Sequence, residues 1–287
     1  MNTEYLHVLW FNPDTDCEPR FYDVHHPLIP ATSDAINRGV GVFETIGILS
    51  GRILNLDEHL ERMCTSANRL GLRSIEPDRW RSLILQSAKK IADQERAGLR
   101  VVYARNSNRS YLAWIAAFAV RDPDALSKGI KVITLQRGVR SDAGRLYPWL
   151  LFGAKTVSYA VNMHALEVAQ ARGADDAIFL SEDGLVLEGT TSNLIAYNKG
   201  AFITPCPRTM SILPGTTQKR LFMLLEAEGK KTLETSVATE ALYNSEGVWL
   251  TSSVRMITPV VSVDGNRVRF DPGLTDWLNE LLARSAV

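Results

Sequence analysis

The run that most limits how this chain folds is YLAWIAAFAV, residues 111–120. It is the longest apolar stretch, and it is far shorter than the ~20 residues that span a bilayer as a helix. A run of this size that ends at Arg121-Asp122-Pro123 suits a buried strand. Just before it, LRVVYAR (99–105) reads as a second strand, and NSNRS between the two predicts a hairpin.

The flanking segments add helices. YLHVLWF (5–11) and FETIGILSG (43–51) read as strands. In 55–72, Leu56, Leu60, Met63, Ala67 and Leu70 recur at three and four, with Asn55 or Asp57 as N-cap and Gly71 as the stop. Residues 76–98 predict a second helix, with Pro77 in its first turn and Gly98 at its end. RDPDALSKG (121–129) gathers Pro, Asp, Ser and Gly between apolar runs and reads as a linker. Beyond it, strands are expected over 130–136, 176–181, 185–189, 192–198 and 201–205, and helices over 159–174 and 215–229. A strand, a loop and a strand follow over 247–266, and a terminal helix begins at Leu274. The expected fold class is α+β in two domains: a smaller one over 1–121, a linker at 122–127, and a larger one over 128–287.

Composition narrows the function. The 287 residues are 45% hydrophobic, enough for a full core. Lysine plus arginine total 32, as do aspartate plus glutamate, so no basic field marks a nucleic-acid or membrane partner. Cys17, Cys64 and Cys206 are odd in number, far apart and form no C-x-x-C, which implies reduced thiols and a cytoplasmic protein. The N-terminus has no basic region followed by a long apolar one, so no signal peptide is read there. Metal-ligand spacing, the nucleophile elbow and the phosphate-cradling P-loop are all missing. RGVGVFE (38–44) has no third glycine and leads into a strand, so it is not a dinucleotide fingerprint. The five histidines form no obvious triad, and no metal is expected.

Four features carry chemistry. Lys155 stands in the apolar stretch WLLFGAKTVSYAVNM. Either it snorkels at a helix start, or its desolvated amine forms a Schiff base with a carbonyl. Glu188 ends the apolar strand LVLEG; either it faces water or it holds a pyridinium nitrogen protonated. PGTTQ (214–218) opens a helix and TSSVR (251–255) follows a strand. Each is either an ordinary cap or turn, or a cluster of N–H and hydroxyl donors for a phosphate. Arg62 is either a surface partner of Glu58 or a fork for phosphate. Together these are the parts of a pyridoxal-phosphate site.

Six segments in order strengthen this. RGVGVFETI (38–46), LDEHLERM (56–63), GAKTVSYAVN (153–162), DDAIFLSEDGLVLEGTTSNL (175–194), ILPGTTQKRL (212–221) and LTSSVRMITPV (250–260) are similar to those of the class IV (fold-type IV) pyridoxal-phosphate enzymes. The resemblance covers nearly the whole chain. It implies a two-domain, D-amino-acid aminotransferase-like architecture with the cofactor lysine in the larger domain. It also implies that Lys155 carries pyridoxal 5'-phosphate and shuttles the proton, and that Glu188 pairs with the pyridine nitrogen. By the same resemblance Arg62, Thr216, Thr217, Ser252 and Ser253 hold the phosphate, Leu213 packs on the ring, and Tyr159 reaches the phenolic oxygen. The family's tyrosine stands one position further from the lysine.

Within the family the wording resembles 4-amino-4-deoxychorismate lyases, which release pyruvate and 4-aminobenzoate for folate biosynthesis. The alternative is an aminotransferase for branched-chain or D-amino acids. Arg105 and Arg255 are the arginines expected for substrate carboxylates, or else simple surface pairs. Two segments depart from the family: Gly39-Val40-Gly41 replaces Gly-Asp-Gly, and Ala104-Arg105-Asn106 replaces Ser-Arg-Gly. The resemblance further implies a homodimer acting on a small molecule.

Overall fold

The computed structural model describes residues 2–15, 18–121 and 128–286. By contacts the chain divides into two compact units. One comprises Met1–Pro123, Ala154–Ser158 and Ser285–Val287, the other Asp124–Gly153 and Tyr159–Arg284. The segment carrying Lys155 therefore groups with the first unit, not with 128–287 as expected. The reason is backbone pairing: Phe43 N–H donates to the Lys155 carbonyl at 3.0 Å and Val157 N–H to that of Gly41 at 2.9 Å. The expected linker at 122–127 lies outside the described residues.

The first unit contains β1 (Thr3–Phe11), β2 (Arg20–Tyr22), α1 (Asp34–Arg38), β3 (Gly41–Leu49), β4 (Arg52–Ile53), α2 (Leu56–Arg69), α3 (Pro77–Lys89), β5 (Arg96–Arg105) and β6 (Tyr111–Val120). Its strands form one antiparallel sheet in the order β2-β1-β6-β5-β3-β4. The apolar run 111–120 is β6, flanked by β1 and β5, and NSNRS does close the β5–β6 hairpin. Leu9, Val42, Ile46, Leu99, Val101 and Ile115 from the sheet meet Leu60, Met63 and Ala67 of α2 and Leu83 and Ile84 of α3 in one core. Fully burying a side chain of this kind contributes roughly 1.5–3 kcal/mol.

One boundary differs from expectation. The helix predicted to run to Gly98 stops at Lys89, and Gly98 lies inside β5, paired with Phe118. A Cβ at Gly98 would collide with the Phe118 ring, so this glycine makes room for an aromatic across the strands and ends no helix.

The second unit contains β7 (Ile130–Gln136), α4 (Ala143–Leu146), α5 (Ala160–Ala171), β8 (Asp176–Leu180), β9 (Val186–Gly189), β10 (Asn193–Asn198), β11 (Ala201–Pro205), α6 (Thr216–Ala227), β12 (Lys231–Thr235), α7 (Ala241–Asn244), β13 (Gly247–Ser252), β14 (Met256–Val263), β15 (Asn266–Arg267) and α8 (Pro272–Arg284). Its sheet runs β12-β11-β10-β13-β14-β7-β8-β9, with β15 paired to β14. The pairs β7–β8 and β11–β12 are parallel, and a parallel pair needs a crossover, which α5 and α6 provide. The sequence reading missed β12 because KTLET sits at the sheet edge, mostly exposed, without apolar alternation.

The β8–β9 pair carries a bulge. From Ile178 to Leu180, β8 takes two steps while β9 takes three, from Val186 to Gly189. Leu187 and Glu188 thus share the place opposite Phe179, which turns Glu188 toward the Phe179 side of the sheet.

Candidate active site

In the first unit the site begins with a carboxylate inside the core. Val42, Glu44, Ile46 and Ile48 alternate along β3, and the three apolar ones belong to the core cluster. Glu44 is 1% exposed, so its charge needs partners. They come from α2, whose inward face carries His59, Arg62, Met63 and Ser66 at helical spacing. Arg62 forks onto Glu44, Nε donating to Oε1 at 2.8 Å and Nη2 to Oε2 at 2.6 Å. His59 Nδ1 lies 2.7 Å from the same Oε2.

Burial pushes the Glu44 carboxyl up, but the Arg62 charge and the bonds from Arg62 and His59 outweigh it and hold it at about 2. Burial pulls His59 below the ordinary histidine range, more than Glu44 raises it. Near neutrality the cluster is therefore anionic Glu44, cationic Arg62 and neutral His59. Since ionised Glu44 only accepts, the His59 proton sits on Nδ1. Arg62, 9% exposed, is buried rather than on the surface beside Glu58.

Lys155 joins the same group. Its N–H donates to Ser66 Oγ at 3.0 Å, and Thr156 bridges to Val42. Lys155 is not at a helix start, since α5 begins at Ala160; it lies on an extended segment beside β3. It is 8% exposed, with Nζ 4.5 Å from the centre of the Phe43 ring. Arg105, expected near substrate, is 37% exposed and pairs through Nε with Asp34 Oδ2 at 3.0 Å.

In the second unit Glu188 and the loop before α6 hold each other. Leu213 N–H donates to Glu188 Oε2 at 3.0 Å, and Asn193 Nδ2 donates to the Leu213 carbonyl at 2.7 Å. Both backbone groups of Leu213 are thus fixed just before the helix. Thr216 and Thr217 are buried in the first turn of α6, behind the extended N-cap Gly215. The Thr217 hydroxyl is buried with no partner among the described residues. Tyr159 stands at the head of α5. Ser252 ends β13, half-buried, and Ser253 is buried in the turn beyond it. Arg255, also expected near substrate, is engaged within the unit: it donates to Asp176 Oδ2 at 2.9 Å and Thr191 Oγ1 at 2.6 Å.

A profile of the family described as "Amino-transferase class IV" matches residues 41–263, a span that contains Glu44, Arg62, Lys155, Glu188 and Ser253. The chain belongs to the class IV aminotransferase family. It is 35% identical over 259 residues to a Mycobacterium tuberculosis protein named "Bifunctional aminodeoxychorismate lyase / D-amino acid transaminase", covering 86% of this chain and 89% of that one. It is 29% identical to a Bacillus licheniformis "D-alanine aminotransferase", over 80% of this chain and 81% of that one. The solved fold IV-transaminase CpuTA1 of Curtobacterium pusillum superposes with a TM-score of 0.91 at 35% identity, covering 99% and 100% of the two chains. A hypothetical aminotransferase of M. tuberculosis in its PLP-bound form superposes equally, at 32% identity over 98% and 99%.

The sequence reading of this class IV chain missed Glu44, His59, Ser66 and Asn193. Glu44 had a signal: a carboxylate in step with Val42, Ile46 and Ile48 on a strand must meet a counter-charge. His59 and Ser66 had a weaker one, their helical spacing from Arg62. Asn193 had none, because its partner is the backbone of a distant loop.

Proposed function

We propose that this class IV enzyme is a pyridoxal-phosphate-dependent lyase that converts 4-amino-4-deoxychorismate to pyruvate and 4-aminobenzoate for folate biosynthesis. The cofactor is pyridoxal 5'-phosphate, and the residues fit it. A helix end with its N–H groups outward, a buried threonine hydroxyl without a partner and a buried serine are donors suited to a phosphate. A Cβ at Gly215 would collide with Asn193 Oδ1, so that approach stays backbone only. Arg62, its plane fixed by Glu44, supplies a guanidinium, the planar fork that phosphate prefers.

The observation that carries the reading is Lys155, an amine 8% exposed against an aromatic ring. Bound pyridoxal phosphate supplies an electron sink for the charge left on the substrate's α-carbon. The rest falls to the chain. Lys155 Nζ takes the α-proton and gives it to the enolpyruvyl group, which leaves as pyruvate while the ring becomes aromatic. Glu188, anchored by Leu213 N–H, keeps a carboxylate ready for a ring nitrogen. Neutral His59 adds no second positive charge beside Lys155. The same reading, by likeness to the family, has the enzyme act in the cytoplasm as a homodimer.

The lyase reading is supported by the likeness to the bifunctional M. tuberculosis protein. The second activity in that name, with the D-alanine aminotransferase likeness, supports a second reading as a D-amino-acid aminotransferase. Incubation with aminodeoxychorismate separates them. Fluorescent 4-aminobenzoate with equimolar pyruvate is expected. Transfer from a D-amino acid to 2-oxoglutarate without aromatic product would sink the lyase reading. Borohydride reduction followed by peptide mapping should place the cofactor on Lys155 and give no adduct in Lys155→Ala. An adduct on another lysine would refute the assignment.

A further inference from the structure

Arg137 has no place in the site described so far. It follows β7 and bonds through its backbone N–H to the Leu180 carbonyl at 2.8 Å. Its guanidinium lies 4.3 Å from the centre of the Phe179 ring and 5.9 Å from that of Phe152. Nη2 donates to Asn162 Oδ1 at 3.4 Å, and Asn162 in turn donates from Nδ2 to the Thr190 carbonyl at 2.7 Å. Nη1 is buried with no hydrogen-bond partner among the described residues. A half-buried guanidinium with a buried N–H group unmet is costly unless a negative charge lies close.

The carboxylate that acts on Arg137 in this unit is Glu188, on the bulge. The bulge sets Leu187 and Glu188 together opposite Phe179, the ring on which the guanidinium rests. Phe179, Leu187, Ala165 of α5 and Ile212 beside Leu213 share one apolar cluster, so the β7 end, the bulge, α5 and the loop before α6 meet on one face. We propose that Arg137 is a positioning residue that, stacked on Phe179 and tied to Asn162, holds Glu188 as an anion aimed for a ring nitrogen. The aim of Glu188 rests on the function proposed above; the coupling of Arg137 to Glu188 does not.

The electrostatics agree. Burial pulls Arg137 below the ordinary arginine range, and the opposing influences come from Glu188 and Tyr159. Within this unit Arg137, at the end of β7, therefore feels both Glu188 and Tyr159, the latter from the head of α5. The loop before α6 adds the Leu213 N–H. Further along α5, His164 and Glu167 are exposed and pair with each other. On β8, Asp176 is taken by Arg255 and Thr190.

The test is the titration of the Glu188 carboxyl in the full-length, cofactor-free protein, followed by carbon-13 NMR and assigned by its loss in Glu188→Gln. Arg137→Gln removes the charge and keeps a polar side chain. Arg137→Met keeps the stem over Phe179 and serves if the first variant does not fold. Either should raise the Glu188 midpoint by about one pH unit, since a lost counter-charge favours the protonated acid. Arg137→Lys should recover more than half of that shift. An unmoved midpoint in the neutral variants overturns the proposal, and so does an equal shift in the lysine variant, which would mark packing rather than charge. This readout needs no cofactor, so failure of the proposed function, seen as no adduct on Lys155, is read separately. In the loaded enzyme, the Kd for pyridoxal phosphate of Arg137→Gln should match the wild type at pH 8 and weaken at a higher pH than in the wild type. A loss of affinity that is independent of pH and persists in Glu188→Gln overturns the action through Glu188.

Discussion

Glu44→Gln removes the charge that Arg62 and His59 share while keeping the side chain's shape. Two independent routes give its size. The carboxyl is held at about 2 against an ordinary 4.5, and that drop of about 2.5 units corresponds to about 3 kcal/mol. Removing one partner of a buried pair costs about 3–5 kcal/mol, because the other charge stays buried. An amide also brings two donors where the carboxylate accepted from Arg62 and His59, so at least one N–H meets another donor. We expect a loss of about 3 kcal/mol in the first unit at pH 7. Native-state hydrogen exchange at the β3 and β5 amides reads that unit by itself, and these amides should exchange roughly a hundredfold faster. The pH dependence gives a second check. Because the folded carboxyl is depressed, its contribution is complete above pH 4.5 and is lost as pH falls toward 2. Urea unfolding of the wild type should show that loss between those limits, and the variant should be flatter there. A cost below about 1 kcal/mol at pH 7, or an unchanged acid slope, would refute the argument.

Other expectations rest on single contacts. His59 is held below its ordinary 6.5 by burial, so the stability it contributes is present above that pH and lost below it. In His59→Asn, the fall in Tm between pH 7 and pH 5 should shrink relative to the wild type. Arg255→Gln leaves Asp176 buried without its charge partner, and about 3–5 kcal/mol should be lost in chemical unfolding of the second unit. A hundredfold rise in KM with unchanged stability would instead make Arg255 the substrate arginine. Gly98→Ala should cost about 1–3 kcal/mol in thermal unfolding, because the new methyl collides with Phe118. No change in Tm would show that the ring swings aside freely.

Most elements were legible because their signals are local. The apolar runs of β3 and β5 and the three-and-four spacing along α2 all lie within a dozen positions. The short β2, α1, α4 and α7 escaped, as did one strand and one helix boundary. β12 carries no apolar pattern, and Gly98 looked like a helix stop because glycine serves both as a stop and as space for a neighbouring ring. For the candidate site the sequence offered residue types and their order. Lys155 and Glu188 each broke an apolar run, and a charge out of pattern marks itself.

The sequence by itself therefore determined the α+β class, the order of the longer elements and that Lys155 and Glu188 are charges in apolar runs, since propensity and periodicity act between near neighbours. Pairing is a long-range matter. Arg62 meets Glu44 eighteen positions away. Lys155 groups with the first unit because its backbone pairs with β3. One extra residue in β9 turns Glu188 onto the face of Phe179. Only the tertiary structure decided these, because a buried charge takes whichever partner packing brings within reach.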